Sequence, residues 1–241
     1  MIFTIPVTTR VEDFDQRGLL TPTALLSIFE NTAVRHAETV GYSPMNDSLR
    51  NGMAWVITNW RVEMDRAPAY DEPFTASTWL CNNPRQATRE MLLHSAGGEV
   101  LARGQAKLAL VDRSSNKPCL PTPERLAAYQ PEQRTAFADR LPRLRPPAAC
   151  TAVSPVLLRR SDMDYNGHLH NTAYLSLALD AAPPEVTAAG VRTFRLSYRS
   201  PLRLGDQTTL RSCPQPEGWT AAFVRGDEVC AVVAVNEQLK P

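Results

Sequence analysis

Within residues 159–171 the chain gathers two carboxylates (Asp162, Asp164), two imidazoles (His168, His170) and two side-chain amides (Asn166, Asn171). Hydrolysis of an activated acyl carbon uses these three kinds of group. An imidazole titrates near neutrality and can take a proton from water. A carboxylate can orient that imidazole or act on the water itself, and an amide can hold the carbonyl or the water. The run Thr172-Ala173-Tyr174-Leu175-Ser176-Leu177-Ala178-Leu179 that follows is almost wholly apolar and reads as a buried helix. Its first turn offers backbone N–H groups, a natural place to stabilise a developing oxyanion.

Other chemistries suit the same residues less well. Asp162-x-Asp164-x-Asn166-Gly167 opens like a calcium-binding loop. The closing glutamate of such a loop would fall on Ala173, however, and the preceding segment reads as strand, not helix. His168 and His170, with Asp162 and Asp164, could ligate a transition metal, but no third firm ligand stands nearby. Alternate residues of an extended segment also point to opposite faces. A purely local role is open for Asp162, Asn166 and Asn171, since these residue types close turns and cap helices. His170 or Asn171 stands where an N-cap belongs. No metal is expected on these grounds. No Gly-x-Ser-x-Gly elbow occurs, which disfavours a serine hydrolase of that type, and the absence of a P-loop or dinucleotide fingerprint implies no nucleotide cofactor.

The elements that must position this cluster occur twice. Residues 2–10 read as a strand, 12–18 as a turn, and Thr21-Pro22 as the start of a helix that Gly41 can end. After a polar loop come strands over 54–65, 72–81, 86–95 and 100–112, the last two joined through Ala96-Gly97-Gly98-Glu99. Seven prolines between 113 and 150 exclude long regular elements, leaving room for one short helix at 123–129, so the segment reads as a linker that packs across a surface. The pattern then restarts with a strand over 151–159, the polar cluster, and a helix over 171–180 stopped by Pro183-Pro184. Strands over 192–199, 207–213, 219–224 and 229–235 complete it.

Shifting the chain by 149 positions (159 − 10) tests the repeat. Arg10, Asp13, Asp15, Gly18, Leu20, Thr23, Ala24, Leu26 and Ser27 then meet identical residues at Arg159, Asp162, Asp164, Gly167, Leu169, Thr172, Ala173, Leu175 and Ser176. Trp60-Arg61-Val62 also resembles Phe194-Arg195-Leu196 at a shorter offset. The chain reads as a tandem duplication of one α+β unit, a sheet curled around a long helix. The expected division is 1–112, a linker over 113–150, and 151–241 with the polar cluster. Arg17, Leu19, Thr21 and Pro22 of the first copy become Asn166, His168, His170 and Asn171 of the second. The frame is shared, whereas the amides and imidazoles belong to one copy.

Composition narrows the class further. Hydrophobic residues make up 43% of the chain and charged residues 21%, and the net charge of +1 gives no global field to recruit nucleic acid or a membrane surface. No apolar run is long enough to span a bilayer, and residues 1–7 lack the pattern of a signal peptide. The five cysteines are scattered and never form a C-x-x-C pair, which fits reduced thiols in a cytoplasm.

The stretch Arg159-Arg160-Ser161-Asp162-Met163-Asp164-Tyr165-Asn166-Gly167-His168-Leu169-His170-Asn171 resembles the R-R-x-D-x-D-x-N-x-H-V-N-N motif of the plant and bacterial acyl–acyl carrier protein thioesterases. Trp55-Val56, Asp65-Arg66-Ala67-Pro68 and Thr78-Trp79 are similar to that family's signposts in the first half. The resemblance implies a double hot-dog fold. It also implies hydrolysis of fatty acyl thioesters on the phosphopantetheine arm of acyl carrier protein. By matching position it makes Asp164, Asn166 and His168 catalytic. His170, Asn171, Tyr198 and Arg199 are the expected substrate-binding residues. Three departures stand out: the family glutamate falls on Pro201 with its neighbouring cysteine on Leu202, its first asparagine after H-V falls on His170, and its glutamine before the histidine falls on Gly167. Arg159, Arg160, Arg192, Arg195, Arg199 and Arg203 would offer positive charge to an acidic carrier protein. An acyl-CoA thioesterase, a hot-dog hydratase and an acyl-thioester binder without turnover stay open beside this reading, as does a homodimer.

Overall fold

Pro6, which has no N–H to give to a sheet, ends the first strand, β1 (Phe3–Pro6), short of the expected Arg10. The computed structural model describes residues 1–81, 87–115, 117–139, 143–148, 150, 152–215 and 218–236; Gln86, Pro142 and Thr151 of the expected elements lie outside these. A single turn of 3-10 helix at Val11–Asp13 follows β1. Thr21 then accepts the Ala24 N–H at 3.2 Å and caps α1 (Pro22–Thr39). Leu25, Leu26, Phe29, Thr32, His36 and Ala37 are buried along it, which explains why the sequence is apolar around most of its circumference. Gly41, at φ +86°, ends the helix, and the Tyr42 N–H returns to the Ala37 carbonyl at 2.8 Å.

The chain divides into two compact units, Met1–Thr58 with Val62–Ala138, and Asn59–Arg61 with Asp139–Pro241. In the first, α2 (Pro44–Arg50) occupies what reads in sequence as a polar loop. Seven residues carry too little periodicity to show a helix, but Pro44 stands at its first position and Asp47 in its first turn. Strands β2 (Met53–Met64), β3 (Phe74–Cys81), β4 (Ala87–Ser95) and β5 (Val100–Asp112) follow as expected. Their order is β1-β3-β4-β5-β2, with β6 (Lys117–Cys119) beside β5, and α1 packs on β3.

Part of the stretch expected as a linker is folded into this unit. Besides β6 it supplies α3 (Pro123–Ala128), capped by Thr122. Arg125 of α3 forms a buried ion pair with Asp47 and lies 4.4 Å over the Tyr42 ring. The Glu132 N–H reaches the Leu80 carbonyl at 2.9 Å, and the Trp79 indole N–H reaches the Arg134 carbonyl at 2.9 Å. Proline density excludes long elements but does not prevent a segment from being stitched down through its side chains and free backbone groups.

The second unit contains β7 (Ala152–Val156), α4 (Asn171–Ala181), α5 (Pro184–Ala188), β8 (Thr193–Tyr198), β9 (Thr208–Gln215), β10 (Gly218–Arg225) and β11 (Glu228–Val235). The strand order is β8-β11-β10-β9-β7. The Pro183-Pro184 stop is real, but Pro184 also starts the short α5, because proline fits the first turn of a helix. A register shift lies between Leu93 and His94 on β4 and another between Phe223 and Val224 on β10. These are matching places in the two sheets, and such bulges sharpen twist and curl.

Candidate active site

The polar stretch begins where β7 leaves its sheet. A turn of 3-10 helix at Arg160–Asp162 reverses the chain, and Asp162 Oδ2 accepts the Arg159 N–H at 2.8 Å. The Asp162 carbonyl then accepts the His170 N–H at 2.8 Å, closing a loop of which Asp164 is the hub. Asp164 Oδ1 accepts the backbone N–H of Asn166 at 2.8 Å and of His168 at 3.0 Å. The Asp164 N–H donates to the His168 carbonyl at 2.7 Å, and Gly167 at φ +73° donates to the Asp164 carbonyl at 3.0 Å. A left-handed residue is needed there, and glycine takes that conformation at no steric cost.

The first unit builds the same loop bond for bond. Asp15 Oδ1 accepts the N–H groups of Arg17 at 2.8 Å and Leu19 at 3.0 Å. Gly18 stands at φ +70°, and Asp13 receives the Arg10 N–H just as Asp162 receives that of Arg159. Both aspartates of each loop therefore close backbone, Asp162 and Asp164 alike.

The difference between the loops lies at the second carboxylate oxygen and the residues around it. Asp15 Oδ2 is held by the Arg17 guanidinium, whose Nε and Nη2 lie at 2.9 and 2.8 Å. Asp164 Oδ2 instead faces the Asn166 Nδ2 at 3.4 Å, a long contact that orients the amide without neutralising the carboxylate. Where Leu19 stands in the first loop, the second carries His168, half-buried with its Nε2 atom fully buried. The structure thus places Asp164, Asn166 and His168 on one braced loop.

Three of the four remaining sequence-derived residues meet at the start of α4. His170 caps that helix: its Nδ1 accepts the Thr172 N–H at 3.3 Å and lies 2.9 Å from the Thr172 hydroxyl, doing the work of Thr21 in α1. Asn171 is the first helical residue, and its carbonyl accepts the Tyr198 hydroxyl at 2.9 Å. Arg199 is exposed, with its Nη2 at 3.4 Å from the Leu144 carbonyl.

Pro201 is exposed, and its carbonyl accepts Arg225 Nη1 at 3.2 Å. The acidic groups of the neighbouring turns are occupied by the same arginine, Asp206 at 2.8 Å and Glu228 at 2.6 Å. One residue escaped the sequence reading. Tyr174 passes for an ordinary apolar helix residue, yet its hydroxyl accepts the Leu202 N–H at 3.2 Å. Burial pushes its phenol up to about 12. The available signal was a tyrosine where the first copy has Leu25.

A duplicated sheet-and-helix unit with one specialised polar loop defines a tandem hot-dog protein. Models of the acyl-ACP thioesterase N-terminal and C-terminal domains match residues 2–129 and 149–226, so the chain belongs to the acyl-ACP thioesterase family. It is 25% identical over 244 residues to an oleoyl-acyl carrier protein thioesterase of Coriandrum sativum, covering 90% of this chain and 64% of that protein. It is also 25% identical over 194 residues to oleoyl-acyl carrier protein thioesterase 2 of Arabidopsis thaliana, covering 73% and 53%. The chain therefore spans about half to two thirds of the length of these relatives. The fold is that of an acyl-ACP thioesterase from Bacteroides thetaiotaomicron (TM-score 0.86, 21% identity, 98% and 97% of the two chains). It is also that of the 12:0-ACP thioesterase from Umbellularia californica (TM-score 0.84, 15% identity, 98% and 96%). No helix among the described residues is long and apolar enough to cross a membrane.

Proposed function

We propose that the chain hydrolyses fatty acyl thioesters of acyl carrier protein, releasing the free fatty acid and so ending chain elongation. The observation that carries this reading is the unequal pair of loops. One hydrogen-bonded frame, built twice, presents Asn166 and His168 in the second unit and Arg17 and Leu19 in the first. Family membership and the names of the relatives support the thioester and the carrier. The five free cysteines fit a reducing cytoplasm.

In this mechanism His168 takes a proton from water as the water oxygen attacks the thioester carbonyl carbon. Asn166 spends one Nδ2–H on Asp164 and has the other for the carbonyl oxygen, whose charge grows in the tetrahedral intermediate. Collapse breaks the C–S bond, and the imidazolium returns its proton to the departing thiolate. Asp164 fixes the backbone of both partners through Oδ1 and keeps a negative charge beside the amide. Pro201 can neither ionise nor donate, so the proton transfer rests on His168 and Asp164. We assign His170, Asn171, Tyr198 and Arg199 to substrate binding, a role the shared hydrogen bond of Tyr198 to the Asn171 carbonyl supports for two of them. The same proline favours a second reading, a thioester binder without turnover.

An assay of acyl-ACP hydrolysis across chain lengths, with acyl-CoA and enoyl-thioester hydration alongside, tests the proposal. The expected result is release of free fatty acid from acyl-ACP, faster than from acyl-CoA and with no hydration. Tight acyl-ACP binding without release would replace it with the second reading.

A further inference from the structure

Leu202 is fully buried, and both of its backbone polar groups are used within the second unit. Its carbonyl accepts the Leu169 N–H at 2.7 Å, and its N–H donates to the Tyr174 hydroxyl at 3.2 Å. Leu169 directly follows His168, and Tyr174 ends the first turn of α4. One residue of the turn after β8 thus ties the polar loop to the helix that follows it.

The first unit makes the same junction with different residues. There the Leu20 N–H donates to the Pro68 carbonyl at 2.9 Å, and the helix residue in the place of Tyr174 is Leu25. Pro68 has no N–H, so nothing at that point needs an acceptor. In the second unit a buried donor appears at Leu202, and an acceptor appears opposite it on the helix. The two changes complement each other, as buried polar groups must.

The outer side of the turn is fixed independently. The N–H groups of Arg199 and Ser200 both reach the Cys230 carbonyl, at 2.8 and 3.1 Å, and Arg225 holds the Pro201 carbonyl. The Tyr174 ring is fixed as well, edge-to-face with Tyr198 and Phe223 at 5.3 and 5.1 Å between centroids. Between two rigid parts, the hydroxyl is the link.

We infer that Tyr174 is a positioning residue for the proposed hydrolysis. Its hydroxyl holds Leu202 so that the Leu202 carbonyl fixes Leu169 and, through it, the neighbouring His168 relative to α4. This rests on the hydrolytic reading above, but the link itself can be measured without turnover.

Tyr174→Phe removes the hydroxyl and keeps both ring contacts. The expected result is a kcat for acyl-ACP hydrolysis lower by about tenfold to a hundredfold, the loss typical of a misplaced reacting group, with KM within about twofold. Amide exchange should quicken at Leu202 and at Leu169. In a Leu202→Pro background, where no donor remains, the same change should alter kcat by less than about twofold. Equal losses in both backgrounds, or an unchanged kcat, would overturn the inference. So would unchanged exchange at Leu169. Faster exchange at Leu169 in a protein whose wild type hydrolyses no thioester would uphold the link and reject the hydrolytic reading alone.

Discussion

Asp164 shows how one side chain can be structural and still belong to a site. Its Oδ1 repeats the backbone closure made by Asp15, so that role owes nothing to catalysis, while the removal of an arginine from its Oδ2 leaves a carboxylate beside Asn166. The sequence carried this distinction only through the repeat, because aspartates at matching positions look alike until the bonds are compared. A second histidine tells the opposite story. His36 in α1 is fully buried, stacked on Phe3 at 5.2 Å, with its Nδ1 at 3.1 Å from Arg89 Nη1. Burial, and then the charge of Arg89, push its pKa down from 6.5 to about 4, so the fold holds the neutral ring. Its contribution is therefore complete above pH 6.5 and declines as pH falls toward 4, because the unfolded chain takes the proton first. We expect a loss of about 2 kcal/mol from this group between pH 7 and pH 5. Denaturant titration at the two pH values should show that loss in the wild type and not in His36→Gln, which keeps an acceptor for Arg89. Equal pH dependence in both proteins would contradict the assignment.

At the scale of elements, the two units fill matching space with opposite choices. Phe29 of α1 lies against Gly104 of β5, where an added Cβ would stand 2.7 Å from the ring. The corresponding pair in the second unit is Ala178 of α4 and Val233 of β11, small on the helix and larger on the strand. The two choices are complementary in size. Gly104→Ala should therefore destabilise the chain by about 1–3 kcal/mol, since Phe29 is fully buried and has nowhere to move. Adding Phe29→Leu should recover part of that loss in thermal unfolding, and a purely additive double variant would show that the two do not share the space. Helix α1, its cap and its glycine stop, and the strands β2–β5 and β8–β11 could be read from periodicity and turn chemistry. The elements that escaped, α2, β6 and α5, are three to seven residues long. Their local signals, such as Pro44 and Pro184 at helix starts, are too short to stand out from loop, and α2 is also held by a tertiary partner through the Asp47–Arg125 pair.

For the whole molecule, the duplication was visible in nine matched residues, and the double hot-dog fold followed from it and from the family resemblance. The use of residues 113–138 as part of the first unit was not visible, because its bonds run through backbone groups and single side chains such as Trp79. Charge is the other property read at this scale. Arg159, Arg160, Arg192, Arg199 and Arg203 are exposed in the second unit, whereas Arg195 is buried. Reversing Arg160 and Arg203 to glutamate should raise the apparent KM for acyl-ACP by about tenfold and flatten its dependence on salt, if these residues meet the acidic carrier. Unchanged KM and salt response would move docking elsewhere. The central claim is that His168, on the loop that only the second unit equips, is the base of a thioesterase. Hydrolysis of acyl-ACP by wild type and by folded His168→Ala tests it most directly. The expected result is a loss in kcat on the order of 10²–10⁴-fold. Turnover by His168→Ala equal to that of the wild type would contradict it.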